Sequence, residues 1–452
     1  MAADPRIAGI PAVSPVLVVG LGITGLSCAR YFARLGQPVR IVDSRESPPG
    51  LEGLADVEGD VELRLGALPP EALDGVSEVV LSPGVRADEP LVVEAHLRRI
   101  PVAGDIELFA RAAPAPIAAI TGSNGKSTVT TLVAELVGAG GLSVRSGGNL
   151  GPAALDLLEG DPPDCFVLEL SSFQLETTDS LRPKAATVLN LSPDHMDRHG
   201  SMERYAAAKA RVFRGAETAV LNRADPGVMA MAPAAGRRIT FGLDAPAGED
   251  YGILGEGEGA WLARGTERLA RVGDLRLRGR HNVANALAAL AMAEAMGVRP
   301  ASVVDALCRF GGLAHRTQWV ADLDGVTYID DSKGTNVGAS VAAISGMPGP
   351  VILIAGGDCK NADFAPLAEA ARGRVKAAVL MGRDAPMVAR ALTGVCEVRR
   401  AASMDEAVAE AACLAEPGDT VLLSPACAST DMFRDYTWRG RAFAEAVGRL
   451  AS

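Results

Sequence analysis

Residues 117–128 read Ile-Ala-Ala-Ile-Thr-Gly-Ser-Asn-Gly-Lys-Ser-Thr, and their reading decides the fold. A short apolar run of strand character enters a loop with two glycines and leaves it in a Thr- and Val-rich helical pattern. That order turns backbone N–H groups and a helix N-terminus toward one point, where a phosphate can sit. Lys126 then reaches the outer phosphates and Ser127 the Mg2+ that accompanies them, so Gly122, Ser123, Asn124, Gly125, Lys126, Ser127 and Thr128 form a candidate triphosphate loop. The generic phosphate-loop pattern wants glycine at position 120, where this chain has isoleucine. The alternative is a plain glycine turn with a solvated lysine; the strand before and the helix after argue against it.

On both sides of this loop, β-branched runs alternate with helical stretches. Upstream lie PVLVVG (15–20), a helix from Thr24 to Leu35, PVRIVD (38–43) and SEVVLSPG (77–84), the grammar of a parallel sheet. The Pro- and Gly-bearing segment 100–116 ends this unit near Gly104. Downstream come strands CFVLEL (165–170) and ATVLN (186–190), a helix from Met202 to Phe213, an Ala-rich helix 282–298 and a further helix 301–308. FGGLAH (310–315) breaks the pattern, after which VTYID (326–330), PVILIAGG (350–357), AAVLMG (377–382) and DTVLLSP (419–425) alternate with helices again. The expected architecture is α/β in three domains, 1–103, 104–312 and 313–452: Rossmann-like, phosphate-loop ATPase-like and Rossmann-like in turn.

The chain has 452 residues, with 44 Lys plus Arg against 55 Asp plus Glu; a net charge of −11 argues against general binding to a nucleic acid backbone. Its seven cysteines include no C-x-x-C pair and are odd in number, which indicates reduced thiols rather than a disulfide framework or a zinc ribbon. No signal-peptide pattern and no run of about 18 uncharged apolar residues is visible. A cytoplasmic protein without membrane insertion is expected.

Gly20-Leu-Gly-Ile-Thr-Gly25 follows a strand and opens a helix, and Asp43 closes the next strand, which matches the dinucleotide-binding fingerprint. A chain that already carries a triphosphate loop needs another occupant here, and the diphosphate of a nucleotide-sugar fits the same geometry; the alternative is a purely structural role for the glycines. Glu169 ends one strand, and Asp194, His195, Asp197 and His199 follow another. Ligands of open α/β sheets bind beyond the strands' carboxyl ends, so these are candidate ligands of a hard cation. His195 and His199 are four apart, but no Glu follows His195 and Pro193 and Gly200 leave little helix, which argues against zinc. Four of the five histidines (195, 199, 281, 315) fall in such polar clusters. Asn282 and Asn285 are placed to read an adenine edge, although Asn282 alone could be a helix cap. Lys333 beside Asp330 and Asp331 reads either as functional or as a local ion pair. Cys427 reads as a small buried thiol rather than a nucleophile, since no base can be assigned to it.

Together, ITGSNGKST, LELSSFQLE (168–176), NLSPDHMDRH (190–199), HNVANALAALA (281–291), HRTQ (315–318), DDSKGTN (330–336), GGDCKNADF (356–364) and LLSPACASTDMF (422–433) resemble the Mur ligases of bacterial peptidoglycan synthesis, in order and across all three expected domains. The GLGITG turn, the GSNGKST form of the loop, LELSSFQLE and SPACAS resemble most the members that add D-glutamate. The resemblance implies an ATP-driven amide ligation on UDP-N-acetylmuramoyl-L-alanine through an acyl phosphate, in a cytoplasmic monomer that uses two Mg2+.

By resemblance, Lys126, Glu169, His195, Lys209 and Lys333 are catalytic. Ser127, Glu169 and His195 hold metal, with Lys209 if it is carbamylated; the alternative for Lys209 is a solvated helix lysine. Asn282, Asn285, Arg316 and Asp331 hold the nucleotide, while Ile23, Thr24, Asp43, Ser44, Arg45, Gly84 and Asn149 hold the uridine diphosphate. Thr335, Lys360, Ser429, Phe433 and Tyr436 meet D-glutamate. Thr430 stands where the family often has an apolar residue and Cys359 where a small one is common. A hinge near Gly311-Gly312 is expected to bring Lys333 and Lys360 toward the phosphates. An NAD-dependent oxidoreductase, a folate-polyglutamating ligase and a non-catalytic binding module are the rivals; phosphate release with the sugar nucleotide and D-glutamate separates them.

Overall fold

The computed structural model describes residues 14–233, 236–277, 279–347, 349–359 and 362–450. Strands β1 (Val16–Val19), β2 (Val39–Asp43), β3 (Val61–Leu65), β4 (Glu78–Leu81) and β5 (Val102–Gly104) form a parallel sheet in the order β3-β2-β1-β4-β5. The order reverses at β1, so the crevice beyond its carboxyl end is where a ligand of such a sheet binds. The GLGITG turn occupies that place.

The central sheet contains β6 (Ile117–Thr121), β7 (Val144–Gly148), β8 (Cys165–Glu169), β9 (Ala185–Val188), β10 (Thr218–Asn222), β11 (Arg237–Phe241), β12 (Tyr251–Leu254), β13 (Trp261–Arg264) and β14 (Glu267–Arg271). Its order is β14-β13-β12-β11-β10-β9-β6-β8-β7, parallel from β7 to β12 and closed by the antiparallel meander β12-β13-β14. β6 and β8 are buried along their whole length, as strands covered on both faces must be. One face is packed by the helices Lys126–Ala139 and Arg280–Met296; the small alanines of the second let it lie close and bury nearly all of its surface.

β15 (Gln318–Leu323), β16 (Val326–Asp330), β17 (Val351–Ala355), β18 (Val375–Leu380), β19 (Glu397–Arg400) and β20 (Thr420–Leu423) make the third sheet, ordered β15-β16-β20-β17-β18-β19 and parallel except for β15 against β16. Apolar packing divides the molecule unevenly. Val16, Phe32 and Ile41 of the first sheet share one cluster with Phe109, Phe166, Leu168 and Val212 around the central sheet, whereas the third sheet packs into clusters of its own.

Several local expectations need correction. The Ala-rich helix begins at Arg280 with Gly279 as its cap, so Asn282 lies within the first turn and is no cap. The helix from Met202 ends at Ala210, and a single 3-10 turn, Arg211–Phe213, completes the stretch. Among the described residues no single helix is long and apolar enough to cross a membrane.

Candidate active site

A cavity of about 320 Å³ opens between the glycine loop 122–127, the start of the helix Arg280–Met296 and the third domain. Asn124, Gly125, Thr128, Asn282, Asn285, Arg316, Asp331 and Lys333 line it. Gly125 begins the helix Lys126–Ala139 at φ 83°, and a Cβ there would stand 2.6 Å from Asn285 Oδ1. Conformation and close approach both demand glycine. Asn285 Nδ2 donates to Asn282 Oδ1 at 3.0 Å, which couples the two amides facing the loop. Arg316 crosses from the third domain and donates to Ser127 Oγ at 2.6 Å, and Asn336 Nδ2 lies 3.3 Å from both Asn124 Oδ1 and Asp194 Oδ2. Lys333 therefore already shares a cavity with the loop in this arrangement of the domains.

Lys333 makes no ion pair with Asp330 or Asp331. Its ammonium stands over the Tyr436 ring at 4.1 Å, while Asp330 Oδ2 holds His315 Nδ1 at 2.6 Å and Asp331 accepts from Thr317 N and Ser424 Oγ. Burial, followed by nearby Arg316, pulls Lys333 down to about 8, and burial pushes Asp331 up to about 7. Half-buried His281, which also lines the cavity, is pulled down to about 4 by desolvation and is neutral near neutral pH.

Behind the loop, Lys126 Nζ donates to Gly122 O and Ser123 O, both at 2.9 Å. Lys209 Nζ donates to Gly122 O at 2.9 Å and Thr121 Oγ1 at 3.3 Å. Burial, then the neighbouring Lys126, pulls Lys209 well below its ordinary value. Lys209 is therefore a buried amine, not a solvated helix lysine. Glu169 Oε1 accepts from Asn149 Nδ2 at 2.6 Å, while buried Glu169 Oε2 has no hydrogen-bond partner. A buried carboxylate oxygen without a donor is costly unless a cation meets it, so this site fits a divalent metal. His195 takes a left-handed φ of 55° and stands edge-on to Phe173 at 4.9 Å, and His199 accepts or donates at Ser172 Oγ, 2.9 Å away. Met196–His199 is one helical turn, too short to present two imidazoles as a zinc pair. Among the described residues no group of three His, Cys, Asp or Glu side chains is close enough to hold an ion; the metal set named above needs Ser127 and a modified Lys209 as well.

A second cavity, about 470 Å³, lies between the first and central domains. Ile23, Thr24, Asp43, Ser44, Arg45, Gly84 and Asn149 all line it, together with Gln174. Gly25 is irreplaceable in the turn because a Cβ would fall 2.0 Å from Gly20 O. Buried Asp43 accepts from Leu21 N at 2.7 Å and from Arg45 N and Nε at 2.9 Å, and the Arg45 guanidinium, first among its partners, holds its carboxyl down to about 2. Arg45, the one cation that lines the cavity among the described residues, is thus already paired.

Comparison with known proteins supplies the context. Residues 14–104 match the family model described as Mur ligase MurD-like, N-terminal domain, residues 120–293 the Mur ligase middle domain, and residues 315–427 the Mur ligase, glutamate ligase domain. A UDP-N-acetylmuramoylalanine–D-glutamate ligase of Nitrosococcus oceani is 50% identical over 96% of this chain and 97% of its own length. The chain belongs to the Mur ligase family. The Pseudomonas aeruginosa protein of the same description is likewise 50% identical, over 96% of this chain and 98% of its own. A solved structure of another Mur ligase, the UDP-N-acetylmuramate-alanine ligase of Thermotoga maritima, superposes with a TM-score of 0.60 at 20% identity, covering 96% of this chain and 99% of that one. It shares the three-domain fold.

Of the residues this Mur ligase was expected to use for its amino acid, Tyr436 packs against Lys333 and His315, Phe433 borders the third domain's core, and Ser429 is buried. Thr335 follows Lys333 in the same turn, and none of these four lines either cavity. Lys360 lies outside the described residues. Cys427 is buried, its Sγ 2.8 Å from that of Cys359, which supports the packing reading. Residues that the sequence did not single out include Tyr205, whose hydroxyl meets Ser123 Oγ at 3.1 Å beneath the loop, and Asn190, whose Oδ1 accepts from Asn124 N at 2.8 Å. Asn190 stands within NLSPDH, so proximity to that motif was the available signal.

Proposed function

We propose that this Mur ligase joins D-glutamate to UDP-N-acetylmuramoyl-L-alanine at the expense of ATP, in the cytoplasm and as a monomer, with domain limits at 104 and 312. The observation that carries the reading is a pair of cavities: one lined by the loop residues Asn124 and Gly125 with two cations of the third domain, the other by a glycine turn suited to a diphosphate and by Asn149, which donates to Glu169. The names of the half-identical relatives supply the substrates.

A carboxylate is a poor electrophile. Transfer of the γ-phosphoryl group of ATP to the alanyl carboxylate forms the acyl–oxygen–phosphorus link and releases ADP. The amine of D-glutamate then attacks the carbonyl, a proton leaves the nitrogen, and inorganic phosphate departs from the tetrahedral intermediate. Phosphoryl transfer needs charge neutralisation and alignment more than covalent help. Lys126, Arg316 and Lys333 supply positive charge from three sides, Asn282 and Asn285 orient the base, and Asp331 with its fixed partners holds the sugar of the nucleotide. Ser127, Glu169, His195 and a carbamylated Lys209 would hold Mg2+, which would supply further neutralisation of the phosphates. Its fit rests on the unpartnered oxygen of Glu169 and on the buried amine of Lys209, whose pKa burial lowers toward the uncharged form that takes up carbon dioxide. Thr335, Lys360, Ser429, Phe433 and Tyr436 hold D-glutamate.

The test is phosphate release from ATP with UDP-N-acetylmuramoyl-L-alanine and one amino acid at a time. Release with D-glutamate and not with L-glutamate, L-lysine or glycine is expected; equal release with all four, or none with D-glutamate, refutes the assignment.

A further inference from the structure

The first-domain wall of the second cavity and the central-domain loop carrying His195 are joined by one side chain. Arg198 lies in the turn Met196–His199, with its side chain only 13% exposed. Its Nη2 donates to Val85 O at 3.0 Å and its Nη1 to Pro83 O at 3.4 Å. Pro83, Gly84 and Val85 follow β4 and line the sugar-nucleotide cavity. They also brace the glycine turn: Ser82 Oγ donates to Gly20 O at 2.7 Å, and a Cβ on Gly20 would stand 2.9 Å from Val85 Cγ2. Nothing else in that loop has a cation of the central domain upon it among the hydrogen bonds of the described residues.

The other face of the same guanidinium covers Phe173, 4.5 Å from the ring centroid. Phe173 stacks on His199 at 5.4 Å and 18°, and meets His195 edge-on at 4.9 Å. Glu176 completes the cluster, with Oε2 3.5 Å from Arg198 Nη2 and Oε1 3.3 Å from His199 Nδ1. The planar guanidinium can do both jobs at once because its N–H groups point outward in its plane while its face remains free to stack.

We infer that Arg198 is a positioning residue that registers the sugar-nucleotide cavity against the His195 loop, so that the acid delivered from one domain arrives in line with the phosphoryl group held by the other. A small displacement of this register is costly, since transfer depends on alignment of donor and acceptor. The inference rests on the proposed location of the sugar nucleotide, and the experiment separates the two.

Binding of UDP-N-acetylmuramoyl-L-alanine, without ATP or metal, is measured by calorimetry for the wild type, Arg198→Ala, Arg198→Lys and Phe173→Leu; ATP binding, melting temperature, and kcat and KM for both substrates are measured in parallel. Arg198→Ala is expected to weaken the sugar nucleotide by about tenfold or more and to lower kcat, with ATP affinity changed less than about twofold. Arg198→Lys, which keeps a cation over the ring and a donor for one carbonyl, recovers part of both losses. Phe173→Leu removes the ring that Arg198 shares with His195 and His199 but leaves the bonds to the Pro83 and Val85 carbonyls, so kcat falls while sugar-nucleotide affinity is retained. Unchanged sugar-nucleotide affinity in Arg198→Ala, or parallel losses of ATP binding and melting temperature, overturns the inference. If Arg198→Ala does not fold, an unaltered kcat in Phe173→Leu overturns it. A wild type that fails to bind the sugar nucleotide refutes the functional reading instead.

Discussion

Two glycine turns, each leading from a strand into a helix, build the two cavities, yet they are equipped differently. Around Gly122–Lys126 the third domain adds Arg316 and Lys333 to the loop's own lysine, and burial lowers the pKa of all three. Around Gly20–Gly25 the single lining cation among the described residues, Arg45, is paired with Asp43. A turn that only holds a diphosphate can rely on backbone N–H groups and a helix terminus. A turn from which a phosphoryl group departs also needs fixed positive charge where charge moves, in a site that water does not screen.

The largest expected effect follows directly. Lys126→Ala is expected to slow phosphate release by about a thousandfold while leaving UDP-N-acetylmuramoyl-L-alanine affinity intact, by kinetics and calorimetry respectively. A comparable loss of sugar-nucleotide binding would erase the distinction between the turns. Next comes Lys209→Ala, with an expected loss of about a hundredfold in kcat that added acetate partly reverses, as a small carboxylate would stand in for the proposed carbamate. Full activity in the untreated variant removes Lys209 from the chemistry.

Lys333 sharpens the comparison through pH. Its depressed value of about 8 means that the free enzyme carries this charge below pH 8 and loses it above, so kcat/KM for ATP should fall as pH rises through that region. Lys333→Arg should move that limb upward; an unmoved limb assigns it to another group. The smallest effect belongs to the first turn. Asp43, held near 2 against an ordinary 3.8, contributes stability that is complete above about pH 4 and fades as pH falls toward 2. Asp43→Asn is expected to cost about 1–2 kcal/mol in urea unfolding at neutral pH, with the difference from wild type vanishing at the acid end. A pH-independent difference would make the loss one of packing.

β6, β8 and β17 were readable in the sequence because they are buried on both faces and so form continuous apolar runs, whereas the parallel strands β5, β7, β10 and β11 were not read. β3, β14 and β19 escaped because they lie at sheet edges and carry charges, as Glu397-Val-Arg-Arg400 does. Asn124, Asn282, Asn285, Arg316 and Asp331 converge on one cavity as their motifs suggested. Backbone conformation was not legible: His195, His315, Thr317 and Ala426 adopt positive φ without being glycine, a cost that only the folded surroundings sustain. Nor was the role of Arg198, whose partners lie more than a hundred residues away in the chain.

The central claim is that a phosphoryl group passes from the cation-rich cavity to an acid presented from the cation-poor one. UDP-N-acetylmuramoyl-L-alanine labelled with oxygen-18 in its alanyl carboxylate, turned over with ATP and D-glutamate, tests it through the mass of the released phosphate. Inorganic phosphate carrying one labelled oxygen is the expected result; unlabelled phosphate from a complete turnover would contradict it.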